Sequence, residues 1–218
     1  MDDDELELIH TRGYDVRGYW RSDGTLVIKG AVRDELPTHL YDIDDDAPLV
    51  MHHMVVELSV ELPDLVITDV RVEFLAHPHH ACPGVIDHYH HLVGLSIARG
   101  FTHKVRELFG GPRGCTHTTA LLQAMAPVAM QCKLASRMMG LRHTSDAELP
   151  QARAALNSPE MRAARAAGNR NTCHVWAEDG EHIQRILDGT GNEVPIPINV
   201  RIRESGGDPD EWRRQRWG

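Results

Sequence analysis

Apolar and polar residues alternate with a period of two through the first third of the chain. Leu6-Glu7-Leu8-Ile9-His10-Thr11-Arg12 opens the pattern, and Tyr14-Asp15-Val16-Arg17-Gly18-Tyr19-Trp20 continues it. Ser22-Asp23-Gly24-Thr25 forms a turn leading into Leu26-Val27-Ile28-Lys29-Gly30-Ala31-Val32. Period two is the signature of a strand with one face buried, and Gly and Asp supply the turn conformations. After an acidic loop over Tyr41 to Asp46, the alternation returns in His53 to Val60 and in Leu65 to Phe74, with Pro63-Asp64 as the turn between them. The pattern predicts an antiparallel meander of about five strands within residues 6–76.

Beyond His80 the period becomes 3.6. Pro83 to Leu92 and Thr102 to Phe109 read as short helices. A longer helix is expected from Thr116 to Met139, with Leu121, Leu122, Met125, Val128, Ala129, Cys132 and Ala135 on its core face and Pro127 within it. Asp146 to Ala167 reads as helical, with Pro150 and Pro159 at helix starts. Asn171-Thr172-Cys173-His174-Val175-Trp176 reads as a short strand. Val194 to Ile202 reads as an extended edge segment, because its prolines remove backbone donors. Strands first and helices afterwards predict an α+β fold, read here as one domain over residues 1–218: strand-rich over 6–76, helical over 83–168 and extended over 172–203.

Composition narrows the classes of function. Of 218 residues, 41% are hydrophobic and 25% charged, as in an ordinary globular domain, and apolar runs are too short for a membrane-spanning helix. The net charge of −9 repels phosphate backbones, so nucleic acid is not expected as a partner. Met1-Asp2-Asp3-Asp4-Glu5 has neither the basic nor the apolar region of a signal peptide, and the expected location is the cytoplasm. Cys82, Cys115, Cys132 and Cys173 are then read as thiols or ligands rather than disulfides. Self-association is left open.

Candidate chemistry starts from the count of 15 histidines. In Gly110-Gly111-Pro112-Arg113-Gly114-Cys115-Thr116-His117, a tight loop runs straight into the long helix. Cys115 therefore sits where helical N–H groups lack partners, a position that favours an anion, thiolate included. Arg113 adds a cation and His117 a base. A second cluster, His77-Pro78-His79-His80-Ala81-Cys82-Pro83 followed by His88, His90 and His91, has the donors that zinc or iron accept, and would bring Asp87 and His91 onto one helical face. Cys132, in mid-helix, reads as core. His10 and the pair His52-His53 are polar positions in apolar alternation.

Several of these elements together resemble one family. Ile9-His10-Thr11-Arg12, His53-Met54, Cys82-Pro83, Leu92-Val93-Gly94-Leu95, Val105 to Gly111, Arg113-Gly114-Cys115-Thr116-His117 and Thr172-Cys173-His174 are similar to the bacterial domain of unknown function 2889, over roughly residues 6–180. The resemblance implies a soluble, stand-alone bacterial protein and carries no activity with it. Its pattern runs through His10, His53, Cys82, Cys115, His117 and Cys173 and leaves the histidines at 77, 79, 80, 88, 90 and 91 peculiar to this chain. The weight accordingly moves to the dispersed set.

No P-loop, GxGxxG, GxSxG or kinase signature is present, which removes support for phosphoryl transfer, dinucleotide redox and serine hydrolysis. The expected function is therefore acid-base chemistry on a small substrate, aromatic ones included, by a lyase or isomerase without a cofactor. His53, His117 and His10 are its bases, Cys115 its thiol and Arg113 its anion clamp. One alternative is a zinc- or iron-dependent enzyme or metal-binding protein using Cys82, Cys115, His117 and Cys173. Another is a non-catalytic module that binds a small ligand.

Overall fold

The structure is a computed structural model. It describes residues 6–41, 44–98, 100–142, 144, 145, 147–191 and 194–217, without the side chains of 137, 138, 141, 142 and 215–217. The acidic opening Met1 to Glu5, two positions of the acidic loop (Asp42 and Ile43) and Asp146 lie outside the described residues. The chain divides into two compact units, residues 1–138 and 139–218.

The first unit is α+β, as the change of period predicts. Four strands, β1 (Thr11–Trp20), β2 (Leu26–Leu36), β3 (Leu49–Glu61) and β4 (Val66–Ala76), form one antiparallel sheet in sequential order. The expected count of about five is corrected to four. β1 starts at Thr11 and runs unbroken through Gly13, while Leu6, Leu8 and Ile9 stand exposed before it. The alternation from Leu6 to Trp20 thus contains one strand and a lead-in, because only the part that pairs with β2 gains a ladder of hydrogen bonds.

One face of the sheet carries the core. Leu26, Ile28 and Val32 of β2 alternate inward with Met54, Val56, Leu58 and Val60 of β3, all buried. The opposite face carries pairs such as Lys29 with Glu57, 2.7 Å apart. Three helical segments cover the core face: a 3-10 helix over Cys82–Leu92, α1 (Phe101–Phe109) and α2 (Thr116–Arg142). They contribute Tyr89, Leu92, Phe101, Val105, Phe109, Leu121, Leu122, Met125 and Ala129 to one cluster. α2 continues through Pro127. Its close approach to the sheet needs bare backbone beneath it: a Cβ on Gly30 would meet Met125 Sδ at 2.8 Å, and one on Gly18 would overlap Cys132 Sγ. Cys132 is therefore packing, as its place in the helix predicts.

The second unit holds α3 (Leu149–Leu156), α4 (Pro159–Asn169), α5 (Glu181–Asp188), α6 (Ile196–Glu204) and α7 (Pro209–Trp217), around a small cluster of Ala166, Ile183, Ile186 and Trp176. α3 and α4 have Pro150 and Pro159 in their first turns, and Ser158 caps α4 by accepting the Met161 N–H. Two extended readings are corrected. Cys173 precedes a single 3-10 turn over His174–Trp176 rather than lying in a strand. Ile196–Glu204 is α6, because Pro195 stands at its N-cap and Pro197 in its first turn, where a missing N–H costs nothing. No helix among the described residues is long and apolar enough to cross a membrane.

Candidate functional site

Charged and ring side chains converge at one end of the sheet, on its core face. In the ladder Arg12 of β1 stands opposite Asp34 of β2, and Asp34 stands opposite His52 of β3, so the three form a row across the strands. The register shifts between Asp34 and Glu35, a β-bulge that ends the regular pairing beside the row. α2 lowers His117 onto it from above, and the segment ahead of β1 brings His10 to its rim.

Asp34 is the centre. Its side chain is 1% exposed, and a buried carboxylate is tolerated only when paired and hydrogen-bonded. Arg12 Nε donates to Oδ1 and Arg12 Nη2 to Oδ2, both at 2.6 Å, in a bidentate clamp. His117 Nε2 lies 2.9 Å from Oδ2. His52 Nδ1 is 3.3 Å from Oδ2 and His10 Nε2 is 3.8 Å from Oδ1. The Arg12 hydrogen bonds and charge hold the carboxyl at about 2, against burial, which opposes ionisation, and with help from His117.

An Asp34 held as an anion can only accept, so His117 Nε2 is the donor and a neutral His117 presents its other nitrogen, Nδ1, as a base. That nitrogen faces Cys115 Sγ at 3.8 Å. The Cys115 carbonyl accepts the Thr119 N–H, which places Cys115 at the N-cap of α2. Tyr89 fixes the residue from the other side: its hydroxyl accepts the Cys115 N–H at 2.8 Å and stands 3.5 Å from the Cys115 carbonyl. Burial pushes the Tyr89 phenol up, against the Cys115 N–H bond, which favours the ionised form.

His52 stacks on His117, ring centroids 3.9 Å apart and planes 24° apart. Burial, then the neighbouring His117, push the His52 imidazole below its usual range. Its Nδ1 is buried and lacks a hydrogen-bond partner. Asp34, His52 and His117 each offer a ligand atom within 4.8 Å of the others, a set of two imidazoles and one carboxylate.

Of the residues singled out from the sequence, Cys115, His117 and His10 come together here. His53 does not: its neighbour across the ladder is Arg33, and the alternation of β3 turns it to the face opposite His52. Arg113 is exposed on the loop, and its Nε donates to the Glu107 carbonyl at 3.0 Å. The guanidinium that grips the buried Asp34 is Arg12, itself 39% exposed. Cys82 begins the 3-10 helix, and Cys173 is exposed in the second unit. Among the described residues the metal-capable set contains no cysteine. The loop histidines are engaged locally, with His77 and His90 bonded to nearby carbonyls and His88 to that of Leu108.

Arg12, Asp34 and His52 escaped the reading of the sequence although a signal was there. Extending the inward parity of Leu26, Ile28, Gly30 and Val32 reaches Asp34, and extending that of Val60, Leu58, Val56 and Met54 backwards reaches His52, not His53.

The fold and site define an α+β protein with an arginine-clamped aspartate, two stacked imidazoles and a thiol at the start of a helix packed on the sheet. The chain belongs to the family described as protein of unknown function (DUF2889), whose model matches residues 10–131, more than half of its length. That match takes in every residue of the cluster and ends before Thr172-Cys173-His174. No curated protein and no solved structure matches the chain.

Proposed function

We propose that the protein is an enzyme that moves a proton on a small substrate, a lyase or isomerase, with His117 as the base. The observation that carries this reading is the single imidazole held between two groups: Nε2 on buried Asp34 and Nδ1 toward Cys115 Sγ. An anchoring carboxylate fixes ring orientation and tautomer and stabilises the imidazolium that forms when Nδ1 takes a proton. Cys115, 3.8 Å from that nitrogen, is a proton donor or nucleophile beside it. Arg12 is committed to Asp34, so it positions the base through that carboxylate and is not free to bind substrate.

The test is proton exchange in deuterated water. Small carboxylates with acidic C–H bonds, aromatic members included, are incubated with the protein and followed by NMR. Stereoselective deuterium uptake that disappears in His117→Ala supports the reading; uptake unchanged in that variant sinks it.

A second reading has its own observation. The buried His52 Nδ1 lies 3.3 Å from the carboxylate that His117 bonds, yet makes no hydrogen bond to it. By donor type, Asp34, His52 and His117 suit zinc or iron, which would supply Lewis acidity. The Arg12 clamp opposes this, since it already engages both Asp34 oxygens with a positive charge. A cation seated in this set would also replace the hydrogen bond between His117 and Asp34, so the two readings exclude each other. Stoichiometric zinc or iron by elemental analysis, lost in both His52→Ala and His117→Ala, would decide for metal.

A further inference from the structure

We infer that two copies of this chain pair through the outer edges of their β1 strands, antiparallel, with Val16 on the two-fold axis. The inference is independent of the proposed reaction.

The sheet has two edges, and they are treated differently. β4 begins under cover: Ile67 N–H donates to Leu95 O, Gly94 N–H donates to Ile67 O, and Val66 bridges Ser96. The outer edge of β1 makes no backbone hydrogen bond among the described residues. β1 also lacks three of the features that keep an edge strand from pairing, and its inward charge, Arg12, is matched by Asp34. It has no proline and no lysine, and its register with β2 runs from Thr11 to Trp20 without a bulge. Three aromatic side chains, Tyr14, Tyr19 and Trp20, are 44 to 45% exposed along it.

The sequence of β1 complements itself in one register. If the helices of both copies lie on the same side of a continuous sheet, residues that meet across the axis must share a face, which restricts the register to steps of two. Centring on Val16 sets Asp15 against the partner's Arg17 and Arg17 against the partner's Asp15, on the face away from the helices. Tyr19 then meets the partner's Gly13, an aromatic ring over open glycine backbone, while Tyr14 meets the partner's Gly18, whose face Cys132 already covers. Moving the centre to Asp15 or to Arg17 places two like charges on the axis itself. Within one chain Asp15 and Arg17 already pair at 2.7 Å and both remain more than half exposed, so a second copy would extend that pair into an alternating set of four charges. The same register sets the partner's Trp20 opposite Arg12, the residue that clamps Asp34. Each cluster would thereby gain a side chain from the other copy.

The experiment is equilibrium sedimentation of the full chain, together with disulfide trapping. The wild type is expected at twice the 24.4 kDa chain mass at micromolar concentration. Asp15→Arg should raise the dissociation constant roughly tenfold, by setting like charges opposite each other. Adding Arg17→Asp to it should restore pairing. Val16→Cys should oxidise to a covalent dimer, because equivalent positions on the axis fall within disulfide reach, and Asp15→Cys should not. Circular dichroism checks that each variant is folded. A monomer across the concentration range overturns the inference. So does a dimer that ignores the charge exchange and gives no Val16→Cys cross-link.

Discussion

Asp34 of β2 and His117 of α2 stand 83 positions apart in the chain and 2.9 Å apart in the fold. The bond ties the first turn of α2 to the sheet at the point where Arg12 already fixes the carboxylate, so it locates Cys115, two residues earlier, as well as His117.

Replacing His117 by alanine should lower turnover about a hundredfold or more, the range for loss of a positioned base. The variant should still fold but melt lower, since it removes a hydrogen bond from buried Asp34. His79→Ala and His80→Ala should leave turnover near wild type, because those rings lie outside the site. Equal losses from the loop variants and from His117→Ala would reject His117 as the base.

Parity along β3 separates two adjacent histidines. His52→Ala removes the ring stacked on His117 and should reduce activity roughly tenfold or more. His53→Ala, on the opposite face beside Arg33, should change activity less than about twofold. Steady-state rates of the two variants give the comparison, and a larger loss at His53 would contradict the face assignment.

Acid should weaken the fold in two stages. Asp34 is held at about 2 against an ordinary value of 3.8, so its ionised form stabilises the folded state fully above pH 3.8, and the contribution disappears as pH falls toward 2. The depression corresponds to about 2 kcal/mol. His52 is also depressed, from 6.5, but as a base it acts by resisting protonation. Below pH 6.5 the unfolded chain takes up a proton that the folded chain refuses, so stability declines as pH drops through that range. Urea denaturation of wild type and His52→Phe between pH 7 and 3 should show the upper limb only in the wild type, and the lower limb in both.

Gly18→Ala should destabilise by about 1 to 3 kcal/mol, the cost of overpacking, because its methyl would overlap Cys132 Sγ. Cys132→Ala in the same chain should recover most of that loss. Thermal unfolding of the two single variants and the double variant tests the coupling; additive losses would mean that α2 does not rest on β1 at this point.

Asp34→Ala should cost about 1 to 3 kcal/mol, since it leaves His117 without its acceptor, while Arg12, 39% exposed, can turn to water. Asp34→Asn keeps the shape and should fold better than the alanine variant while still losing activity, because a neutral amide no longer stabilises an imidazolium. Comparable activity of Asp34→Asn and wild type would show that the negative charge is dispensable.

The change from period two to 3.6 near His80 determined the class of fold, and the apolar spacing from Leu121 to Ala129 determined α2. Both follow from local geometry, because a residue's face in a strand or helix depends only on its distance from its neighbours in sequence. Cys115 and His117 were legible for the same reason: a glycine-rich loop and a helix start are local. The buried centre was not. Arg12, Asp34 and His52 belong to three strands, and each is an ordinary polar residue until pairing register puts them in one row. Choosing His52 over His53 depends on which alternate positions are inward. That parity could be followed back from Met54, but its consequence appears only when Asp34 stands opposite. The short C-terminal stretches failed for a related reason. Two prolines near Ile196 are compatible with either an edge strand or a first helical turn, and the hydrogen bonds available beyond them decide between the two.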